Sequence, residues 1–510
     1  MLINNDNNKK DLVLVLDQGT TSSRAMLFNR VGALIAKSQQ SVEQIYPKPG
    51  WVEHDPMEIL SSMMSAITNV LANANAIPDR IAGIGITNQR ETTILWDRKT
   101  GRSLANAIVW QCRRTAESLK EILKNPAAAY MISERTGLIP DAYFSASKIA
   151  WLLDNIPDAR DKAKRGELAF GTVDSWLIYS LTGGNVHATD FTNASRTMLF
   201  NIHNGHWDTG LLELFNVYES LMPEVYPSAY DYGEVTHPSL LKGVHIFGVA
   251  GDQQAALFGQ RCFSAGEAKY TLGTGAFLLM HTGSRACVSK NRLVTTIAAS
   301  PPGKAGFEYA LEGSLFTAGA LIEWLKGGLG ILNSVEESEE LASSVPDTDG
   351  VYLIPAFAGL GAPWWDPDVR GTVTGLTRGT RKEHIVRAAL ESLVFQSADL
   401  ISAFNSDSGI ELKSIKTDGG VSANGFLMQF MTDMLGMTVI RQENPESTGL
   451  GGAFLAGLKC GFWRDQEEII KLEFAAKKFL PGHIDRQGLM AGWRKALEMA
   501  LMKRLRQVTR

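Results

Sequence analysis

Asp17-Gln18-Gly19-Thr20-Thr21-Ser22-Ser23-Arg24 decides how the chain is read. Apolar runs flank it at 12–16 and 25–28, so the segment is a polar turn joining two strands, a β-hairpin and not a strand feeding a helix. Glycine and hydroxyl residues in a turn offer backbone N–H groups, hydroxyls and a trailing arginine to a phosphate chain. A carboxylate at the strand end, here Asp17, can organise a divalent cation through water. The G-x-x-x-x-G-K-[ST] phosphate loop is absent. Taken alone, the fragment fits an ordinary polar hairpin turn better than a ligand site.

Moving outward, Ile59, Leu60, Met63, Met64, Ile67, Val70 and Leu71 recur at helical spacing and predict an amphipathic helix over 56–72. Asp55 is its expected N-cap and Pro56 its first residue. Strands are predicted at 81–87, 92–96 and 246–250, and their alternation with helices gives the α/β class. From Lys269 the opening pattern returns: an apolar run at 270–272, Gly273-Thr274-Gly275, then an apolar run at 276–280. Further on, helices are predicted at 384–400 and 450–458, and a strand at 415–417 runs into Asp418-Gly419-Gly420-Val421. Gly451, Gly452 and Gly457 would let the second of these helices pack closely. The echo predicts two related lobes, residues 1–258 and 259–510, whose Gly/Thr turns face one ligand across a cleft.

Composition bounds the partners. A chain of 510 residues holds two large domains or three ordinary ones, and 45% hydrophobic against 20% charged residues is a globular balance. Lys and Arg number 50 against 54 Asp and Glu, so nothing points to a sequence-independent grip on nucleic acid, and an anionic partner must be met by local geometry. Cys112, Cys262, Cys287 and Cys460 form no C-x-x-C, so neither a disulfide framework nor structural zinc is expected. The first ten residues lack an apolar core and read as a frayed tail, not a signal peptide. No apolar run reaches the ~18 residues of a membrane span. A soluble cytoplasmic protein is the expectation.

In this order, D-x-G-T-T, G-T-G and D-G-G-V match the nucleotide-contacting segments of the sugar kinase, Hsp70 and actin class of ATPases. The chain resembles the FGGY family of carbohydrate kinases from about Asp11 to about Trp493. Besides the opening turn, the marks are N-Q-R-E-T-T from Asn88, W-Q-C-R-R-T from Trp110, G-T-V-D-S-W-L from Gly171, T-N-A-S-R-T-M-L-F from Thr192 and G-D-Q-Q-A-A-L-F-G-Q from Gly251. Two longer signatures fall at 143–155 and 371–391. The resemblance implies two actin-like (ribonuclease H-like) ATPase lobes with a cleft between them, and ATP-dependent phosphorylation of a small polyol with Mg²⁺. Glycerol and ATP are the implied partners, and a dimer or tetramer the implied assembly.

Carried over by position, the implied polyol pocket is Arg90, Glu91, Tyr143, Asp252 and Gln253, walled by Trp110 and Phe277. Such a site needs carboxylates to accept hydroxyl protons, a guanidinium to donate, and an aromatic wall for the C–H face. In isolation Arg90 and Glu91 would read as a surface pair; their place directly after a buried strand favours a site. Asp252 is the implied general base, with a helix N-cap as the plainer role. The implied ATP contacts are Thr20, Thr21, Ser22, Arg24, Thr274, Gly319, Glu323, Gly420 and Asn424, with Asp17 holding the metal through water and Asp252 a second possible donor. Glu323 stands where the nearest members of the family commonly carry Gln, and should weaken nucleotide binding or shift nucleotide preference unless a cation compensates. The region 227–248 lacks the Gly-rich basic loop with which some members bind a sugar bisphosphate, and 228–233 contains no His to serve as a phosphate acceptor. Two rival readings are a kinase for a ketose or another polyol, and a regulatory ATPase that has lost catalysis.

Overall fold

The computed structural model describes residues 10–508 apart from 358, 367, 444 and 445, so residues 1–9 of the expected frayed tail lie outside the described residues. The first sheet is built from β1 (Leu12–Gln18), β2 (Ser22–Asn29), β3 (Leu34–Ser41), β4 (Ile81–Asn88) and β5 (Ile246–Gly251), in the order β5-β4-β1-β2-β3. β1 and β2 form the expected hairpin, with Asp17 opposite Arg24. β4 runs parallel to β1 and sets Thr87 beside Asp17; β5 runs parallel to β4 and sets Gly251 beside Asn88. Three strands therefore end at one edge, and the residues that follow them share the space beyond it.

Helix α1 (Pro56–Asn73) starts where its sequence says, with the Asp55 side chain accepting from the Met57 N–H at 2.8 Å. It buries Ile59, Met63, Ile67, Val70 and Leu71, each worth ~1.5–3 kcal/mol relative to exposure. Two further helices bear on the site, α2 (Ser145–Asn155) and α3 (Asp252–Gly259). The strand expected at 92–96 starts only at Ile94, because the chain first makes a tight turn: Thr92 N–H donates to Arg90 O at 2.7 Å across Glu91, whose φ is +62°.

The second sheet repeats the plan with β6 (Ala268–Leu272), β7 (Ala276–Gly283), β8 (Val294–Ile297), β9 (Tyr309–Leu315), β10 (Ser414–Asp418), β11 (Thr438–Gln442) and β12 (Ala476–Phe479), ordered β8-β9-β7-β6-β10-β11-β12. As in the first sheet, an antiparallel hairpin is followed by an antiparallel third strand on one side and parallel strands on the other. Thr271 of β6 lies beside Asp418 of β10, so the Gly273–Gly275 turn and the 419–421 loop leave from the same edge. The helices named below are α4 (Gly319–Glu323), α5 (Lys382–Ser408), α6 (Gly425–Leu435) and α7 (Ser447–Lys459). Among the described residues no helix is long and apolar enough to cross a membrane.

The linear division at 258/259 assigns α7 to the second lobe, yet α7 lies on the first lobe's sheet. A Cβ on Gly85 of β4 would sit 2.3 Å from Gly452 O, one on Gly248 of β5 2.6 Å from Ala456 N, and one on Gly451 1.8 Å from Ala255 O of α3. Backbone meets backbone here, and only glycine permits it.

Candidate active site

At the first edge the hairpin turn is closed by Gly19 N–H donating to Ser22 O at 2.9 Å. Thr20 is half-buried, Thr21 exposed and Ser22 buried. Asp17 is 5% exposed; it accepts from the Thr87 hydroxyl at 2.9 Å and faces Arg24 Nη1 at 3.5 Å. Burial raises its carboxyl to about 6, against the pull of Arg24 and Thr87, and the charges of Asp252 and Glu446 add to the rise. Asp17 at the end of β1 and Asp252 after β5 leave the same sheet edge on either side of β4. Among the described residues no cluster of three or more His, Cys, Asp or Glu could hold a metal by itself. The buried Asp17 and the partly exposed Asp252 are carboxylates of the kind that suit Mg²⁺, which keeps waters and takes further oxygens from substrate phosphates.

Beyond β4, Arg90 and Glu91 are 3% and 1% exposed, so neither is a surface charge. The Arg90 guanidinium donates to Glu312 at 2.6 and 3.1 Å and to Gln254 at 3.2 Å, while its Nε faces Asp252 Oδ1 at 3.2 Å. Glu91 Oε1 accepts from Arg196 Nε at 2.6 Å, and Arg196 also reaches Glu312 at 3.0 Å. Burial raises the Glu91 carboxyl, with Arg196 and Arg90 opposing. The positive φ of Glu91 is a strained conformation for a residue with a side chain, and such strain collects at functional sites.

Asp252 lies at the tip of β5, its side chain about one-third exposed (31%). Gly251 occupies the N-cap position of α3, so Asp252 is the first helical residue and not the N-cap; its Oδ1 accepts from Gln253 N–H at 2.7 Å. Gly251 N–H in turn donates to Thr192 Oγ1 at 2.8 Å, which fixes the approach to the tip. Gln253 accepts from the buried Lys269, whose ammonium burial lowers to about 8 against the charges of Asp418 and Asp252. Trp110 and Tyr143 meet edge to face at 5.3 Å, and Trp110 Nε1 donates to Thr20 Oγ1 at 3.0 Å, joining the aromatic wall to the first turn. Lys148 of α2 donates to the carbonyls of Tyr143 and Phe144 and holds that segment. Phe277, on β7, packs against Leu257, Cys262, Leu279, Ala298 and Ala310.

At the second edge backbone dominates. Gly319 N–H donates to Gly273 O at 2.8 Å, and a Cβ on Gly319 would lie 2.8 Å from that oxygen and 3.1 Å from Val421 Cγ2. Gly419 has φ +88°, and a Cβ there would meet Leu272 O at 2.4 Å. Thr274 and Gly420 are exposed beside them. Asn424 caps α6 by accepting from Leu427 N–H at 2.8 Å, and its amide donates to Ser338. Glu323 is 64% exposed and 4.0 Å from Lys326, so a cation does stand by it.

The motifs did not single out Glu312, Arg196, Lys269 or Gln254, all of which complete the buried cluster. Glu312 had a visible signal, a lone carboxylate inside the apolar strand Tyr309–Leu315. Arg196 lay within a quoted motif but received no role.

The model for the FGGY family of carbohydrate kinases, N-terminal domain, matches residues 12–259, and that for the C-terminal domain matches 268–460. Glycerol kinases of Carboxydothermus hydrogenoformans and Caldanaerobacter subterraneus are each 54% identical, covering 96% of this chain and 98% of theirs. Among solved structures, Plasmodium falciparum glycerol kinase with ADP superposes with a TM-score of 0.91 at 36% identity, covering 97% of this chain and 99% of that one. A xylulose kinase of Lactobacillus acidophilus shares the fold, with a TM-score of 0.85 at 20% identity over 98% of both chains. The chain belongs to the FGGY family of carbohydrate kinases.

Proposed function

We propose that this chain transfers the γ-phosphoryl group of ATP to glycerol, giving sn-glycerol 3-phosphate and ADP. The observation that carries the reading is the strand-tip carboxylate of Asp252, with Arg90 at 3.2 Å, at the same sheet edge where β1 ends in Asp17 and the phosphate turn across β4. Its likeness to glycerol kinases over nearly the full chain supports the choice of polyol. Arg90, Glu91, Tyr143 and Gln253 bind and orient glycerol against Trp110 and Phe277. Asp252 accepts the proton of the 3-hydroxyl as that oxygen bonds to the γ-phosphorus, and the bond to the β-phosphate oxygen breaks with its electron pair leaving on ADP.

Thr20, Thr21, Ser22, Arg24 and Thr274 take the phosphates; Gly319, Glu323, Gly420 and Asn424 take the adenosine. Asp17, with Asp252 as a second donor, would hold Mg²⁺ through water, which when bound neutralises phosphate charge. The two lobes, with α7 carried by the first, close over the substrates and exclude water, so that ATP is not hydrolysed. Assembly as a homo-oligomer and a cytoplasmic location belong to the same reading. A coupled ADP-release assay with glycerol, dihydroxyacetone, xylulose and ribulose tests it: glycerol is expected to give the highest kcat/KM, and a preferred sugar would overturn the assignment.

A further inference from the structure

Glu312 sits on β9 of the second sheet, yet its carboxylate lies among the arginines of the first lobe. It is 4% exposed and accepts from both terminal nitrogens of Arg90, at 2.6 and 3.1 Å, and from Arg196 at 3.0 Å. This is the two-pronged geometry in which a guanidinium and a carboxylate bind most strongly. Although burial opposes it, Arg196 and Arg90 hold the Glu312 carboxyl down at about 2. With its terminal nitrogens occupied, Arg90 turns Nε toward Asp252 Oδ1, the same oxygen that accepts from Gln253 N–H. Neither contact falls on Oδ2.

We propose that Glu312 is a positioning residue, a counter-ion supplied by the opposite lobe that holds both terminal nitrogens of Arg90 and so prevents the guanidinium from closing two-pronged on Asp252. The assignment rests on Asp252 as the base and Arg90 as a polyol contact. Arg90 is buried, so nitrogens released by Glu312 must find another acceptor nearby. Gln254 Oε1 already accepts from Nη1 at 3.2 Å, so the charged acceptors left to them are the two carboxylates that face Nε, Asp252 at 3.2 Å and Glu91 at 4.0 Å. Either movement takes from the site a group that glycerol needs, and neither alters the glycine-lined nucleotide edge.

The experiment is steady-state kinetics of E312Q and E312D, with ATP binding followed by calorimetry. E312Q keeps the size but loses the charge; it is expected to lower kcat/KM for glycerol by about 10²-fold while the KM for ATP and the ATP stoichiometry stay at parental values. E312D restores the charge on a shorter side chain and is expected to recover about tenfold of that loss, its glycerol KM staying at least threefold above the parent's. Glycerol constants within threefold of the parent in E312Q, an equal rise in both KM values, or an E312D no better than E312Q would each overturn the proposal. Should E312Q not fold, E312D decides alone: the glycerol KM is expected to rise at least threefold with the ATP KM unchanged, and parental constants would overturn it. D252N run in parallel separates the two readings, since retained turnover there removes the base assignment while leaving the glycerol-specific effect of Glu312 readable.

Discussion

The two edges of the cleft are built from different material. At the first, buried charged side chains saturate one another: Arg90, Glu91, Arg196 and Glu312 are all under 5% exposed and joined by contacts of 2.6–3.1 Å. At the second, Gly273, Gly319, Gly419 and Gly420 present backbone, and the side chains of Thr274 and Glu323 are exposed. Specificity for a small polyol needs fixed donors and acceptors, since a site with unmatched buried polar groups rejects the wrong hydroxyl pattern. A nucleotide needs a shaped floor. Charge changes should therefore damage the first edge and added volume the second.

The largest effect expected is that of D252N, which takes the proton acceptor from the first edge. Turnover should fall by about 10²–10⁴-fold, with glycerol binding by calorimetry within about tenfold; retained turnover would sink the base. G319A then probes the second edge. A methyl 2.8 Å from Gly273 O and 3.1 Å from Val421 must displace one of them, and the KM for ATP should rise about tenfold with the glycerol KM unchanged. Equal change in both constants would erase the distinction between the edges. E323Q should move the ATP KM by less than about threefold, because an exposed pair contributes little; a larger change would mean that charge matters at the second edge after all.

The smallest effect lies away from both edges. Burial, then the charge of Asp190, raises the Asp174 carboxyl to about 7, where the unfolded chain has it near 4. Between those values the folded state keeps a proton that the unfolded state has lost, so stability falls as pH rises through that window. D174N should flatten that part of the dependence, raising Tm by a few degrees at pH 7.5 and little at pH 5 in scanning calorimetry. An unchanged slope would place the proton elsewhere.

Much of the fold was legible because its signals are local. Both hairpins, α1 with its Asp55 cap and the parallel strand into Asp418 follow from runs and turns within a few residues of one another. α5 runs Lys382–Ser408 against an expected 384–400: Ile401, Ala403 and Phe404 carry its buried face one turn further, and only Asn405 to Ser408 form a polar end that apolar spacing does not register. The late start of the strand at Ile94 and the shift of the helix start onto Asp252 come from single backbone conformations at Glu91 and Gly251. The site's supporting charges were harder to see. Glu312 acts on Arg90 from 222 residues away, and Lys269 reaches Gln253 across the boundary between the lobes, contacts that no local spacing marks. The partner of the glycines in α7 was hidden for the same reason.

That helix carries a consequence for synthesis. The face of the first sheet beside Gly85 and Gly248 is covered by Gly452 and Ala456, which leave the ribosome long after β4 and β5. Until residues 447–459 emerge, the nascent first lobe has an open apolar face, with Val13, Val15 and Ala250 lacking the cover that Leu450, Ala453 and Phe454 provide. The lobe made first is thus completed almost last, and a chain truncated before residue 447 is expected to aggregate where the full chain does not.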